Sequence, residues 1–412
     1  MVRAALLVTG TEVLEGRVRD QNGAVIAADL VSLGVTVTRT LVVGDALDDI
    51  AHGAAYLLGL GADLLVVTGG LGPTHDDRTM EAVAQVAGVP LALDDGALAQ
   101  VRDAMVAMPP RASKAVRDVG AVKQATVPVG ARVLPPSGTA PGVVLDVRGA
   151  IVVVLPGPPW ECVASWGAAC ATPELGGLLA TTATGPPVTL RLAGVVESEF
   201  IEALADPSAG HEGLDVGVCA RPGEIEVTMR PPGPDALALE RFLDSRFSGA
   251  LFSRDGAEVE DVLGRELLRR HETLVTAESC TGGVLGERLT RVPGASGWYT
   301  GGVVAYDNAV KAHVLGVPAQ VLLQFGAVSA ECAVAMADGA RLALSATWAV
   351  SVTGIAGPGG GTPLKPVGLV FLAVSGPDGA ISRELHLNGD RERVRAWAAT
   401  LALHMVREAV TA

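Results

Sequence analysis

The sequence predicts an α/β protein: two three-layer α/β domains, at residues 1–168 and 251–412, joined by a small α+β module at 169–250. Three observations carry this prediction. Short apolar runs alternate with stretches of helical period over residues 1–165 and again from 257 onward, the rhythm of a mostly parallel sheet covered by helices. The interval between them breaks that rhythm. Glycine-rich turns follow several apolar runs, where parallel sheets place their ligands. At 412 residues the chain is also too long for one ordinary core.

In chain order, residues 4–9 form a short apolar run and 22–33 have helical spacing. Residues 35–43 alternate like a strand, and Asp45 is placed to cap a helix reaching residue 58. Residues 63–68 have the continuous apolar character of a buried strand, followed by a glycine turn and a helix from Arg78. A Pro/Gly/Thr-rich stretch at 181–187 reads as a linker. Strand 190–195, helix 198–205, strands 215–220 and 224–230 and helix 235–247 then make the module, with Arg221-Pro222-Gly223 as a hairpin turn. It carries no chemical motif, so a spacer or dimerisation role is expected. From 257 a helix, a strand at 273–277, a strand at 301–306, a strand at 348–353, two further strands and a final helix from Asp390 complete the pattern.

Composition narrows the function. Aromatic residues are only 3% of the chain, so the cores are built from Ala, Val and Leu. A net charge of −14 with no basic run argues against direct nucleic-acid binding. Five cysteines without a C-x-x-C pair argue against a disulfide framework and a structural zinc site. The apolar start ends at Thr9-Gly10-Thr11-Glu12, too soon for a signal sequence, and no run reaches membrane-spanning length; a soluble cytoplasmic protein is expected. Only four of the 31 basic residues are lysines, Lys114, Lys123, Lys311 and Lys365. Lysine can deprotonate and arginine cannot, so each is a candidate for a role needing a compact or neutral amine.

Two regions hold chemistry. Ser279 sits where a buried strand turns into a helix, so helix N–H groups would suit a developing oxyanion there, although Ser279 or Thr281 could equally be a plain cap. Tyr306 and Lys311 flank a second strand-to-helix junction, with Asn308 as its cap; burial near a helix start would favour a neutral lysine. Tyr306 is either a proton relay or a packing tyrosine. The loop from Gly354 to Gly361 suits close backbone approach to an anion. In the N-terminal part, Thr68-Gly69-Gly70-Leu71-Gly72-Pro73-Thr74-His75-Asp76-Asp77 combines glycines for phosphate with carboxylates for a divalent cation; one aspartate could instead cap the next helix. Ser137-Gly138-Thr139-Ala140-Pro141-Gly142 and the loop around Gly157 are expected to complete one nucleotide pocket.

The strings A-E-S-C-T-G-G, G-G-V-V-A-Y-D-N-x-x-K, G-A-V-S and V-T-G-I-A-G-P-G-G-G-T-P-x-K-P-V-G together resemble the C-terminal domain of the CinA (competence/damage-inducible protein A) family. That domain is similar to nicotinamide mononucleotide deamidases. The resemblance implies Ser279 as nucleophile, Lys311 as base and Tyr306 as its helper, without a cofactor. It also implies substrate contacts from Thr281, Thr353, Gly354, Gly357 and Arg393, the last suited to phosphate. Gly10-Thr11-Glu12, Asp20-x-Asn22, the G-G-L-G-P-T-x-D-D run, Lys123-Gln124-Ala125 and G-T-A-P-G resemble the family's N-terminal molybdopterin-binding-like domain. This implies a metal-dependent ADP-ribose pyrophosphatase. Glu12, Asp76 and Asp77 would hold Mg, Mn or Co, Lys123 would stabilise diphosphate charge, and Gly69, Gly70, Gly72, Thr74, Ser137, Gly138, Thr139 and Gly157 would contact substrate. The chain departs from the family at Gly120-Ala121-Val122, where Asn-Asn-Arg is usual. The implied whole is a bifunctional salvage enzyme acting on small nucleotides, as a homodimer. Its alternatives are pterin or nucleotide binding without hydrolysis in the N-terminal half, or a non-enzymatic competence or recombination partner.

Overall fold

The computed structural model describes residues 2–107, 113–182 and 185–412, and the chain divides into two compact units, Met1–Pro187 and Val188–Ala412. Both are α/β. Ala183 and Thr184 of the expected linker lie outside the described residues.

The first unit is built on a six-stranded sheet in the order Thr36–Val43, Arg3–Thr9, Leu64–Thr68, Ala150–Leu155, Val143–Val147, Arg132–Val133. The first four strands are parallel; Val143–Val147 runs antiparallel to its neighbours on both sides, so Arg132–Val133 runs in the direction of the first four. Consecutive residues of a strand face opposite sides, so each continuous apolar run feeds two cores. Leu7, Leu65, Val67 and Val154 pack with Ile50 and Leu57 of helix Leu47–Gly59. Leu6, Val66 and Val153 pack on the other face with Ile26 and Leu30 of helix Asn22–Ser32 and with Trp166 of helix Pro159–Cys170. That is the three-layer arrangement. Leu175 of helix Pro173–Leu179 joins the second of these cores, so residues 169–179, expected in the module, pack with the N-terminal unit instead. Asp45 does not cap helix Leu47–Gly59; its carboxylate accepts instead from the N–H and hydroxyl of Thr11, at the start of helix Thr11–Leu14, at 2.9 and 2.7 Å.

In the second unit, residues 188–253 form an antiparallel sheet in the order Asp215–Arg221, Glu224–Arg230, Val188–Ala193, Leu251–Ser253, packed against helices Glu197–Leu204 and Pro234–Arg246. The last strand, three residues long, has too little pattern to be read from sequence. The remaining sheet runs Tyr299–Val304, Leu274–Glu278, Trp348–Gly354, Leu369–Gly376, Gly379–His386, three strands parallel and two antiparallel. Helices Val259–Arg270 and Arg391–Thr411 cover one face and helix Ala330–Ala343 the other. Because the central strands are parallel, Glu278, Val304 and Gly354 end at the same edge, and the loops that follow them converge there. Among the described residues no helix is long and apolar enough to cross a membrane.

Candidate active site

Ser279 directly follows strand Leu274–Glu278 and is held by its N–H, which donates to Val352 O at 2.9 Å. Lys311 comes from helix Asn308–His313, whose first turn is capped by the Asp307 side chain rather than by Asn308. Its Nζ lies 3.0 Å from Ser279 Oγ and donates to the carbonyls of Ala305 at 2.7 Å and Tyr306 at 3.3 Å. With 1% of its surface exposed and no carboxylate paired to it, burial holds this amine below the ordinary lysine range, against smaller opposing effects of Cys332, Cys280 and Asp307. A neutral amine has two N–H groups and one lone pair. With its proton, Nζ donates to Ser279 Oγ as well; once the proton is lost, the two carbonyls take the two remaining hydrogens and the lone pair is left for the serine hydroxyl. Cys280, next in the chain, is no rival nucleophile: burial pushes its thiol up to about 11, so it stays protonated.

The helix dipole is not free for an oxyanion, contrary to expectation. The helix after Ser279 begins only at Val284, and the buried Glu278 carboxylate accepts from the N–H groups of Gly283, Leu285 and Gly286 at 2.9, 3.1 and 2.9 Å. A charge already sits on the positive helix end.

Ser279, Lys311, Tyr306, Thr353, Gly354, Gly357 and Arg391 line one pocket of about 280 Å³. Tyr306 is 60% exposed, and its hydroxyl accepts from Arg391 Nη2 at 2.8 Å while Arg391 Nη1 donates to Gly357 O at 2.7 Å. Only the Tyr306 carbonyl, not its hydroxyl, touches Lys311. Thr353 Oγ1 donates to Ala327 O at 2.7 Å. A Cβ on Gly354 would lie 2.7 Å from Val370 Cγ2 and 2.8 Å from Leu369 O, so glycine is needed there for packing. Two expected substrate contacts fall elsewhere. Thr281 is fully buried with its carbonyl bound by Arg395, outside the pocket lining. Arg393 lies over the Trp397 ring, 5.7 Å from its centroid, in a different cleft. Arg391 takes the place expected for Arg393; the cap Asp390 beside it was the one sequence signal for a loop-facing helix start.

The N-terminal unit holds a separate cavity of about 550 Å³ lined by Glu12, Asp76, Asp77, Gly69, Gly70, Gly72 and Gly157, with Asp20, Asn22 and Asp45. Two of its glycines are structurally required. Gly69 has φ +100°, and a Cβ there would reach within 2.4 Å of Thr9 O; on Gly70, at φ +64°, it would lie 2.3 Å from Thr79 Oγ1. Asn22 Nδ2 donates to Gly157 O at 2.8 Å and so joins two of the loops. Asp77 accepts from the N–H and hydroxyl of Thr74 at 2.9 and 2.6 Å, and Asp76 accepts from the same hydroxyl, which holds its carboxyl below the usual range. Among the described residues no group of three or more His, Cys, Asp or Glu side chains stands close enough to hold a metal ion. The expected trio of Glu12, Asp76 and Asp77 lines one cavity without standing as one cluster. Lys123 donates to Thr74 O and lines an adjacent cavity. Ser137, Gly138 and Thr139 line neither: Gly138 packs against the Glu161 carboxylate, Thr139 Oγ1 accepts from Gln124 Nε2 at 3.2 Å, and Ser137 is exposed.

A parallel-centred α/β unit with an acid-lined cavity and a second with a buried Ser–Lys pair define the class. Residues 5–175 match the family described as probable molybdopterin binding domain, and residues 256–410 match the CinA C-terminal domain. CinA-like proteins of Mycolicibacterium vanbaalenii and Mycobacterium tuberculosis are 43% and 40% identical to this chain, which in each case is covered over 99% of its length, with 99% and 97% of the relatives covered. A solved competence/damage inducible protein from Agrobacterium tumefaciens is matched at 39% identity over 38% of this chain and 97% of that one, with a TM-score of 0.36. The chain belongs to the CinA family and carries its molybdopterin-binding-like domain.

Proposed function

We propose that the Ser279 pocket hydrolyses the carboxamide of nicotinamide mononucleotide, releasing ammonia and nicotinate mononucleotide. The observation that carries this reading is Lys311 Nζ, 3.0 Å from Ser279 Oγ with both neighbouring carbonyls occupying its hydrogens. Ser279 Oγ attacks the carboxamide carbon while Lys311 accepts its proton. Lys311 returns that proton to the departing nitrogen as the tetrahedral intermediate collapses, and ammonia leaves. Water, deprotonated by the same amine, then attacks the acyl ester, and the amine returns that proton to Ser279 Oγ as the carboxylic acid leaves. No redox step or cofactor enters this sequence. Arg391 at the pocket wall is the cation suited to the nucleotide phosphate. Ammonia release by full-length protein, abolished in Ser279→Ala, is the expected result; an undiminished rate in that variant defeats the reading.

For the N-terminal cavity the companion reading is cleavage of ADP-ribose to AMP and ribose 5-phosphate. Its support is the glycine-lined backbone at Gly69 and Gly70 beside the carboxyl ends of parallel strands. With no trio of carboxylates clustered among the described residues, a metal here would be held by one or two carboxylates together with the substrate's own phosphates; the alternative is that this cavity binds a nucleotide or pterin without cleaving it. AMP formation on adding Mg²⁺, Mn²⁺ or Co²⁺ supports cleavage; tight ADP-ribose binding with no AMP supports binding alone. A homodimer completes the proposal, with light scattering as its check.

A further inference from the structure

Lysine is rare in this chain. Each ion pair among the described residues is made by arginine or histidine. The three lysines with described side chains instead donate to backbone carbonyls of site loops: Lys123 to Thr74, Lys311 to Ala305 and Tyr306, and Lys365 to Phe325 at 2.6 Å and Val328 at 2.7 Å. A compact ammonium with tetrahedral donors fits two converging carbonyls, which a planar guanidinium fork does not.

The Lys365 case bears on the Ser279 pocket, because Ala327 and Val328 form part of its wall. Four successive carbonyls of that segment are each held by a side chain: Phe325 O and Val328 O by Lys365, Gly326 O by Ser329 Oγ at 3.0 Å, and Ala327 O by Thr353 Oγ1 at 2.7 Å. Gly326 has φ +78°, and a Cβ there would stand 3.1 Å from Lys365 Nζ, so glycine also serves the clasp. In a trans peptide the N–H points opposite to the carbonyl of the same plane. Ser329 and Thr353, by holding the carbonyls of Gly326 and Ala327, therefore fix the N–H groups of Ala327 and Val328, which have no partner among the described residues, while Lys365 ties together the two ends of the same segment. Glu278 has already taken the N–H groups of Gly283, Leu285 and Gly286 at the start of the helix after Ser279.

We propose that Lys365 is a positioning residue that clasps segment 325–328 so that its free N–H groups stabilise the oxygen of the reacting carbonyl at Ser279. This rests on the amidase reading for its substrate, but not for its geometry. Oxyanion donors act mainly in the transition state, and losing one costs roughly 10²–10³ in kcat. Lys365→Met should accordingly lower kcat for ammonia release from nicotinamide mononucleotide at least about tenfold while KM moves less than about threefold. Lys365→Arg should fail to rescue it, for the geometric reason given. A second readout is independent of substrate. A fluorophosphonate that modifies reactive serines places a phosphonyl oxygen where the oxyanion would lie, so labelling of Ser279 should slow by a factor of about ten in Lys365→Met. Amide hydrogen exchange over 325–329 should quicken in the same variant. Labelling and kcat both within about twofold of the unsubstituted protein, in a variant with unchanged melting temperature, would overturn the proposal. If the unsubstituted protein releases no ammonia while labelling still slows in Lys365→Met, the substrate assignment fails and the clasp stands.

Discussion

The Ser279 pocket and the Glu12–Asp77 cavity are both lined by polar groups at the carboxyl ends of parallel strands, yet they differ in readiness. In the first, every donor and acceptor of Lys311 is assigned by contacts at 2.7 to 3.3 Å, and a buried amine faces the nucleophile. In the second, Asp76 and Asp77 each turn one carboxylate oxygen to Thr74 and keep the other, and the carboxylates line a cavity without clustering. A preassembled pair needs no reorganisation before chemistry, whereas an acid-lined cavity must first release its carboxylates or work without doing so. Residue type alone therefore says little about whether a site is set.

The largest expected effect concerns the pair itself. Ser279→Ala should reduce amidase kcat by at least about 10³-fold while leaving any product of the N-terminal cavity unaltered, as an ammonia assay beside an AMP assay would register. If both fall together, the two sites are not separate. Lys311→Met should cost roughly 10²–10⁴-fold in kcat/KM. In the unsubstituted enzyme the base works in its neutral form, so kcat/KM should rise with pH through an apparent pKa below the ordinary lysine value; a rate that falls with pH over the same limb contradicts the assignment.

Much of the pair was legible in sequence, and its surroundings were not. Lys311 stood out because lysine is scarce, and Ser279 because a buried strand ends beside it. Arg391 was missed in favour of Arg393 because two residues of a helix differ by about 200° in direction, and spacing alone does not give the phase. Glu278 was unreadable as the partner of Gly283, Leu285 and Gly286, since that contact depends on the turn between them. In the N-terminal motif the aspartates were visible, but Thr74 within the same string offered them nearer hydrogen-bond donors. The sheets and their helices followed from apolar period; the 169–179 segment did not, because helix Pro173–Leu179 buries mainly one residue, Leu175.

Two smaller effects sharpen the contrast. Asp77→Ala should lower metal-dependent AMP formation about tenfold or more if the N-terminal cavity cleaves ADP-ribose. An unchanged rate there removes Asp77 from any metal role. Tyr306→Phe should change amidase kcat by less than about fivefold, because its hydroxyl is bound to Arg391 and lies off the Ser279–Lys311 line. A loss above about 10²-fold would restore Tyr306 as a proton relay.

The most direct test is ammonia release from nicotinamide mononucleotide by the full-length protein in excess chelator, measured beside Lys311→Met. A rate unaffected by chelator in the unsubstituted protein and lost in the variant is the result this site predicts. No ammonia, or equal rates in the two proteins, would contradict it.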